Sequence, residues 1–295
     1  MLNFREITLA DREVIHNTYY RAAAHGSEFS FANLFFWGEQ KVAFVGAAPV
    51  FLSRFGAHHS YPVPFFDLSL IPALREDAHE RGIPFRLFGL TAQEVEALSA
   101  AYPEQFRCHP VRDSFDYVYD IERLCELHGK KLQAKRNHCN RFEEAYPDYR
   151  VVPLDASLLP RCREFTERWY ATHATGGAEN DYAGERRAIA RAFDHFDALR
   201  MEGIAIETGD GMVAFSMGNR IREDTFDVNY EKADADINGA YPIVNREFAR
   251  LLRARYPELR FLNREDDMGI EGLRRAKESY APDILLEKYL AEEAL

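Results

Sequence analysis

Five consecutive polar side chains follow a short apolar segment near the end of the chain. The segment 259–263 has the pattern of a strand, and the glycines and the proline beyond it place a helix between about 269 and 281. The polar residues at this junction are Asn263, Arg264, Glu265, Asp266 and Asp267. Charged groups at a strand end beside a helix start are common in the sites of α/β proteins. The same residues could equally form an N-cap whose acidic side chains complement the helix dipole.

A second set of polar residues lies at the end of an earlier strand. The segment 225–231 alternates polar and apolar residues and ends at Tyr230 and Glu231. The loop that follows contains Asp234 and Asp236, which would repel a pyrophosphate and would suit a cationic group such as an amine. A plain solvated turn is the alternative, because Asp and Asn favour turns by local hydrogen bonding.

The segment 128–142 is strongly basic although the whole chain is acidic. It has five Lys or Arg residues and no Asp or Glu, whereas the chain carries a formal net charge of −11. This net charge argues against a protein whose entire surface binds nucleic acid or anionic lipid. The basic segment indicates either a solvated helix face or a local phosphate-binding patch.

The composition describes a folded globular protein. The chain has 295 residues, of which 46% are hydrophobic and 13% aromatic, enough for one large domain or two ordinary ones. Charges interrupt the N-terminus where a signal peptide needs an apolar run, and no segment approaches the roughly 20 apolar residues of a membrane span, so a cytoplasmic location is expected. The four cysteines have neither paired spacing nor nearby ligand clusters, so neither disulfides nor a metal site are predicted.

The second half of the chain has a recognisable order of predicted elements. The segment 203–217 reads as a strand, a Gly-Asp-Gly turn and a second strand. The strand 225–231, a helix over 242–255 and the strand 259–262 follow. Antiparallel strands, a crossover helix and one further strand are typical of the GNAT acyltransferase fold.

Helix, strand and helix recur in both halves, and each copy closes with Tyr-Pro or Tyr-x-Pro. The first copy spans 72–103 and the second spans 242–282. Between them lies a helical segment that is broken around Gly129, where a boundary is expected. We therefore predict an α/β fold (α+β, with mixed sheets) of two tandem GNAT-like domains, 1–125 and 126–295.

The terminal motif matches a pattern of a known family. Its sequence fits Asn-Arg-Glu-x-x-x-Gly-x-x-Gly-Leu-x-x-x-Lys-x-x-Tyr-x-Pro and resembles the C-terminal domain of phosphatidylglycerol lysyltransferases and the bacterial proteins grouped with it. The matching residues are Asn263, Arg264, Glu265, Gly269, Gly272, Leu273, Lys277, Tyr280 and Pro282. The segments 131–142 and 229–242 resemble the same family in the same order. This family is similar to tandem GNAT-like proteins, among them the Fem peptidyltransferases of cell-wall synthesis, so the resemblance implies the same fold.

The resemblance also implies transfer of an aminoacyl group from a charged tRNA to an amine or hydroxyl acceptor, without a further cofactor. An aminoacyl ester is already activated, so the protein must align the acceptor, remove its proton and stabilise an oxyanion. Glu231 is the first candidate for the base or for holding the donor amine, and Glu231→Gln should then stop turnover with little change in melting temperature. Glu265 and Asp266 are the alternatives, while Asn263 or Lys277 could face the developing negative charge.

Other polar residues are assigned to substrate binding. Arg264, Lys135 and Arg136 would hold phosphate of the tRNA acceptor end or of a lipid headgroup. The remaining candidates are Asn137, Tyr230, Asp234, Tyr241 and Asn245. Simpler roles are open for two residues: Lys277 could form a surface ion pair within its helix, and Tyr241 could pack in the core.

Two other functions stay open on the sequence alone. An acyl-CoA-dependent N-acyltransferase would share the fold and would bind CoA despite the acidic loop. A non-catalytic binding module would keep the basic patch but tolerate the loss of Glu231, Glu265 and Asp266. Full-length phosphatidylglycerol lysyltransferases also carry a multi-span membrane domain that this sequence lacks, so the expected partners are charged tRNA and either a soluble acceptor or anionic lipid met peripherally. The aminoacyl group and the oligomeric state are left open.

Overall fold

The computed structural model describes residues 1–21, 26–27, 30–38, 40–55, 58–62, 67–173 and 182–294. Its strands are β1 (Arg5–Glu6), β2 (Gln40–Val45), β3 (Ala48–Phe55), β4 (His58–Pro62), β5 (Arg86–Leu90), β6 (Phe106–Pro110), β7 (Asp116–Asp120), β8 (Arg150–Pro153), β9 (Glu202–Thr208), β10 (Gly211–Arg220), β11 (Thr225–Ala233), β12 (Phe261–Asn263), β13 (Ile284–Leu286) and β14 (Tyr289–Glu293). Its helices are α1 (Arg12–Arg21), α2 (Phe31–Trp37), α3 (Ile71–Arg81), α4 (Ala92–Ala101), α5 (Ile121–Glu126), α6 (Gln133–Ala145), α7 (Leu159–His173), α8 (Ala183–Asp194), α9 (Ala240–Arg255) and α10 (Glu271–Glu278). Among these described helices, none has the length and apolar character that a membrane crossing requires.

The strands form two mixed sheets of seven strands each. The first sheet has the order β1-β2-β3-β4-β5-β14-β6, and the second has the order β13-β7-β12-β11-β10-β9-β8. The chain divides into two compact units. The first contains residues 1–116, 266–270 and 285–295, and the second contains residues 117–265 and 271–284. The predicted α/β class, with mixed sheets in two tandem GNAT-like units, is confirmed.

The echo seen in the sequence corresponds to one topology used twice. In the first unit, α3 connects β4 to β5, which pair in parallel, and β14 then pairs antiparallel with β5. In the second unit, α9 connects β11 to β12, which also pair in parallel, and β7 pairs antiparallel with β12. In each unit the strand after the crossover helix is therefore flanked by a strand from a distant part of the chain.

The core of the second unit is built around α9. Its apolar residues Ile243, Val244, Phe248 and Leu252 are buried and recur at the spacing of one helix face. Phe248 meets Phe226 of β11 edge to face, with ring centroids 5.5 Å apart. This packing fixes the crossover helix against the sheet and so fixes the positions of the polar residues that both elements carry.

The start of α9 requires a glycine. Gly239 is the N-cap, has φ +89°, and a Cβ there would lie 2.3 Å from the His138 carbonyl oxygen in α6, closer than van der Waals contact allows. We expect Gly239→Ala to lower the free energy of unfolding by more than about 2 kcal/mol, because it combines a left-handed backbone with a clash against main chain. Urea denaturation measures this loss.

The matched control is Gly272→Ala in α10. A Cβ at Gly272 would meet nothing within 4 Å, and the residue lies inside a helix. Alanine there should be neutral or raise the free energy of unfolding by about 0.5–1 kcal/mol. Equal effects of the two substitutions would contradict the close approach of α6 to the start of α9.

Candidate active site

Two parallel strands of the second unit stop pairing where its polar residues gather. β11 and β12 pair only over 225–227 and 261–263, and β11 then continues beyond the last pair. A β-bulge places residues 228–229 opposite the single residue Gly218 of β10, where any Cβ would collide with the Asp227 carbonyl oxygen. Bulges redirect side chains next to sites. Polar groups from β11 and from the turn after β12 meet at this open end.

A buried ion pair forms the centre of the site. Arg264 Nη2 donates to Glu231 Oε1 at 2.8 Å, and the two side chains are only 12% and 10% exposed. The second carboxylate oxygen, Oε2, accepts from Asn245 Nδ2 of α9 at 3.2 Å. Both oxygens of Glu231 therefore accept hydrogen bonds, and the carboxylate is fixed between the turn after β12 and α9.

Two tyrosine rings enclose the guanidinium of Arg264. Its carbon Cζ lies 4.8 Å from the ring centre of Tyr280 and 5.7 Å from that of Tyr119. The rings meet edge to face with centroids 6.3 Å apart. Burial alone would lower the pKa of Arg264, but the Glu231 carboxylate together with Tyr119 and Tyr280 outweighs burial, and the pKa is raised. The guanidinium is thus permanently charged and held by both aromatic and ionic contacts.

Lys135 brings a second positive charge to the same place. Its Nζ lies 4.2 Å from the ring centre of Tyr280, and the side chain is half-buried on the inner face of α6. Burial, and then the positive charge of Arg264, lower the pKa of Lys135 below its ordinary value. Among these residues two cations, Lys135 and Arg264, face one carboxylate, Glu231, and the cluster favours a group with negative charge.

The turn after β12 is held in an unusual conformation. Glu265 has φ +57°, which is rare for a residue with a side chain. Its backbone N–H donates to Asn263 Oδ1 at 2.8 Å, and its carboxylate accepts from Asn229 Nδ2 at 3.1 Å. Asn229 Nδ2 also donates to Asp227 Oδ2 at 2.9 Å. Backbone strain of this kind clusters at functional sites.

Lys277 fixes the other end of that turn. Its side chain is 8% exposed, and its Nζ donates to the Arg264 carbonyl oxygen at 2.5 Å. Its own carbonyl oxygen accepts from the Tyr119 hydroxyl at 2.8 Å. The near-complete burial of Lys277 differs from the surface ion pair that its helix spacing allowed. Its contacts position the backbone of Arg264.

The opposite face of β11 carries a residue that sequence reasoning missed. Lys232 is 5% exposed, its Nζ pairs with Glu185 at 2.6 Å, and it lies 3.7 Å from the ring centre of Trp169. Trp169 Nε1 in turn donates to the Tyr241 hydroxyl at 3.0 Å. The sequence does predict this placement, because Lys232 follows Glu231 in a strand and adjacent side chains of a strand point to opposite faces. Burial raises the pKa of Tyr241 to about 12.

Besides Tyr241 and the turn residues described above, five predicted residues lie outside the cluster of Glu231, Arg264, Asn245 and Lys135. Arg136 donates to the Leu127 carbonyl oxygen at the end of α5, as basic side chains often do at helix C-termini. The others are Asn137, which is exposed on α6; Asp234, whose Oδ1 accepts from the Asp236 N–H at 3.0 Å; Tyr230, which is buried; and Asp266, which belongs to the first unit. Asp234 thus forms the local turn that its residue type favours.

Ser216 provides a stability test of the site. It is the cross-strand partner of Glu231, is fully buried, and within the described residues its Oγ has no hydrogen-bond partner. We expect Ser216→Ala to leave the free energy of unfolding unchanged or to raise it by up to about 1 kcal/mol, because an unsatisfied hydroxyl is removed. Urea denaturation is the measurement.

Thr166 is the matched control for Ser216. Its buried hydroxyl donates to the Cys162 carbonyl oxygen at 2.7 Å. Thr166→Val should therefore lower the free energy of unfolding by about 1 kcal/mol. A loss from Ser216→Ala as large as that from Thr166→Val would show that the Ser216 hydroxyl is satisfied in the free protein.

The two units and the open end of β11 place the chain in the class of tandem GNAT-like proteins. Comparison with known proteins gives the family. The sequence profile of the family described as phosphatidylglycerol lysyltransferase, C-terminal, matches residues 20–292, and the chain belongs to this family. The resemblance carried by the Asn263–Pro282 motif is therefore confirmed.

Similar structures and sequences agree with this assignment. A crystal structure of a conserved protein of unknown function from Bacteroides thetaiotaomicron VPI-5482 is 36% identical, with a TM-score of 0.92 over 100% of both chains. The structure of L-PGS from Bacillus licheniformis has a TM-score of 0.63 over 94% of this chain and 90% of that chain, at 15% identity, which is a likeness of fold. An uncharacterized protein of Mycoplasmoides gallisepticum is 24% identical over 206 residues, which cover 69% of this chain but 63% of that protein.

Proposed function

We propose that the protein transfers an aminoacyl group from a charged tRNA to an amine or hydroxyl acceptor. One observation carries the proposal: the buried cluster of Glu231, Arg264 and Lys135 at the open end of β11. Transfer from an ester requires that the donor be held in place and that negative charge on the acyl oxygen be stabilised. A carboxylate beside two cations supplies both kinds of group. Membership of the phosphatidylglycerol lysyltransferase family supports the same reaction class.

The contacts suggest how the candidate residues share this work. Glu231 already accepts two hydrogen bonds, yet a carboxylate has about four acceptor positions and can also hold the donor amine. Lys135 and Arg264 would face the acyl oxygen. Glu265 is the candidate base in the same unit, and Asn263 and Lys277 position the turn that carries it.

Two features at the start of α9 favour a charged tRNA over acyl-CoA as donor. A GNAT enzyme that uses acyl-CoA would bind the pyrophosphate at the loop and helix N-terminus before the crossover helix. Here the His138 carbonyl oxygen packs against Gly239 at that N-terminus. Asp234 and Asp236 in the loop add negative charge and would repel a pyrophosphate.

The segment 128–142 offers a surface for tRNA phosphates. Lys130, Lys131 and Arg141 are exposed there, whereas Arg136 is occupied by the end of α5. We expect the double substitution of Lys130 and Lys131 by alanine to weaken tRNA binding and to reduce the slope of log affinity against log salt by about 1.4–1.8. Lys41→Ala, at an exposed lysine of the first unit, is the control. An unchanged slope would remove this segment from the interface.

Titration of the protein with charged tRNA, uncharged tRNA and acetyl-CoA, at low and moderate salt, tests the choice of donor. Salt-sensitive binding of charged tRNA in the micromolar range or tighter, without binding of acetyl-CoA, is the expected result. Binding of acetyl-CoA alone would move the protein to the small-molecule N-acyltransferases. Binding of tRNA that is unaffected by charging, with no turnover, would indicate a binding module.

A further inference from the structure

Three aromatic rings form a cage on the face of β11 that is opposite to Glu231. Trp169 and Tyr170 of α7 and Tyr182 just before α8 are in mutual contact, with ring centroids 5.3 Å apart for 169–170, 5.7 Å for 169–182 and 5.4 Å for 170–182. Trp169 Nε1 also donates to the Tyr241 hydroxyl at 3.0 Å. The rings are therefore held in place by contacts among themselves and with α9.

Lys232 fills this cage with an ammonium group. Its Nζ lies 3.7 Å from the ring centre of Trp169 and 5.0 Å from that of Tyr170, and it donates to Glu185 Oε1 at 2.6 Å. Burial lowers the pKa of Lys232, and the Glu185 carboxylate opposes that change. Aromatic faces and a carboxylate around one nitrogen are the groups that recognise a free ammonium ion.

The cage reaches solvent at Glu185. The Glu185 side chain is 24% exposed, whereas that of Lys232 is 6% exposed. Trp169 and Tyr182 are half-buried. The carboxylate thus stands at the rim, and the lysine enters the cage from the strand behind it. A cation from solvent would meet the carboxylate first and the rings next.

We propose that the cage is a binding site for a primary alkylammonium group and that Lys232 occupies it as a tethered ligand. A tethered ligand acts at an effective concentration in the millimolar range or above, so an external ammonium of similar affinity must exceed that concentration to displace it. The site is therefore closed in the natural chain until Lys232 leaves it. This inference does not rest on the proposed function, because the cluster around Glu231 takes no part in it.

Lys232→Ala opens the cage, and n-propylammonium is the matched probe. Alanine keeps Cβ, and the probe supplies the three carbons and the nitrogen that the substitution removes. Trp169 reports binding by its fluorescence once Trp37, the only other tryptophan, is changed to phenylalanine. In the variant that combines Trp37→Phe with Lys232→Ala, we expect saturable binding with a Kd in the millimolar range, which suits one cation–π contact and one charge-assisted hydrogen bond.

Controls separate charge from shape and from ionic strength. n-Propanol has nearly the same shape without the charge and should bind at least about tenfold more weakly. Sodium chloride at equal concentration should give no saturable change. Adding Glu185→Gln to the open variant should weaken n-propylammonium binding by about tenfold, because the carboxylate charge is lost. Trp37→Phe alone keeps Lys232 and should require at least about tenfold more probe.

Three results would overturn the proposal. Equal binding of n-propanol and n-propylammonium would show that the space is filled only by apolar packing. Equal response with and without Lys232 would place the ammonium elsewhere, and no saturable response of the open variant would exclude the site. If Lys232→Ala does not fold in buffer, refolding with n-propylammonium or with n-propanol, followed by circular dichroism, makes the same comparison. Recovery with the ammonium alone supports the cage, and any other result overturns it.

Discussion

Glu231→Gln should lower the free energy of unfolding by about 3–5 kcal/mol, because it leaves the Arg264 guanidinium buried without its counter-charge. The two side chains are 10% and 12% exposed and lie 2.8 Å apart, so solvent screens their interaction only weakly. From the sequence alone, the same substitution was expected to leave the melting temperature nearly intact. The ion pair changes that expectation. Urea denaturation measures the loss, provided that the slope of the unfolding free energy against urea concentration is unchanged.

The double variant Glu231→Gln with Arg264→Met separates the ion pair from the shape of the site. Removing both charges of a buried pair is often far less destabilising than removing one. We therefore expect the double variant to be more stable than Glu231→Gln alone, with a coupling energy of about 1–3 kcal/mol in the double-mutant cycle. A change below about 0.5 kcal/mol for Glu231→Gln would contradict a buried pair, since that is the range of ordinary surface substitutions.

Lys135→Met should reduce the rate of aminoacyl transfer by about 10²–10³-fold, the usual effect of removing one donor to an oxyanion. Its stability should not fall. Burial and the nearby Arg264 lower the pKa of Lys135, which means that the ammonium costs more free energy in the folded protein than in the unfolded chain. A methionine of similar length removes this unfavourable charge and can pack on the Tyr280 ring.

Lys131→Met is the matched control, since Lys131 is exposed on the same segment. It should change the transfer rate only through tRNA affinity. The pH profile gives a second readout. Lys135 acts when protonated, and because its pKa lies below the ordinary 10.5, the rate should fall on the alkaline side before that pH is reached. Lys135→Arg should move this alkaline fall in rate to higher pH. A rate and a pH profile unaffected by Lys135→Met would exclude the residue from catalysis.

Much of the second unit follows from local sequence patterns. The hairpin, the alternating third strand and the crossover helix predicted over 242–255 correspond to β9, β10, β11 and α9, the last observed at Ala240–Arg255. These elements are set by period, turn residues and caps, which act over a few positions. Each unit is discontinuous in the sequence, since residues 266–270 and 285–295 belong with the first unit. Such long-range exchange of segments leaves no local signal.

The four residues of the buried cluster were separate candidates in the sequence, and their contacts were not predicted. Glu231, Arg264, Asn245 and Lys135 were all candidates, but their meeting depends on the parallel pairing of β11 with β12 and on a bulge, which no local pattern specifies. The inward direction of Lys135 had a signal, because Cys139 and Phe142 follow it at helical spacing and are buried. The high charge of the segment concealed that pattern.

Transfer of a radiolabelled aminoacyl group from a mixed pool of charged tRNA is the most direct test of the central claim. The protein and its Lys135→Met variant would each be incubated with the pool and with two acceptors, phosphatidylglycerol vesicles and a soluble primary amine. We expect the natural chain to move label from tRNA to one acceptor and the variant to be slower by about 10²-fold or more. No transfer to either acceptor, with acetyl transfer from acetyl-CoA to the amine instead, would contradict aminoacyl-tRNA as the donor.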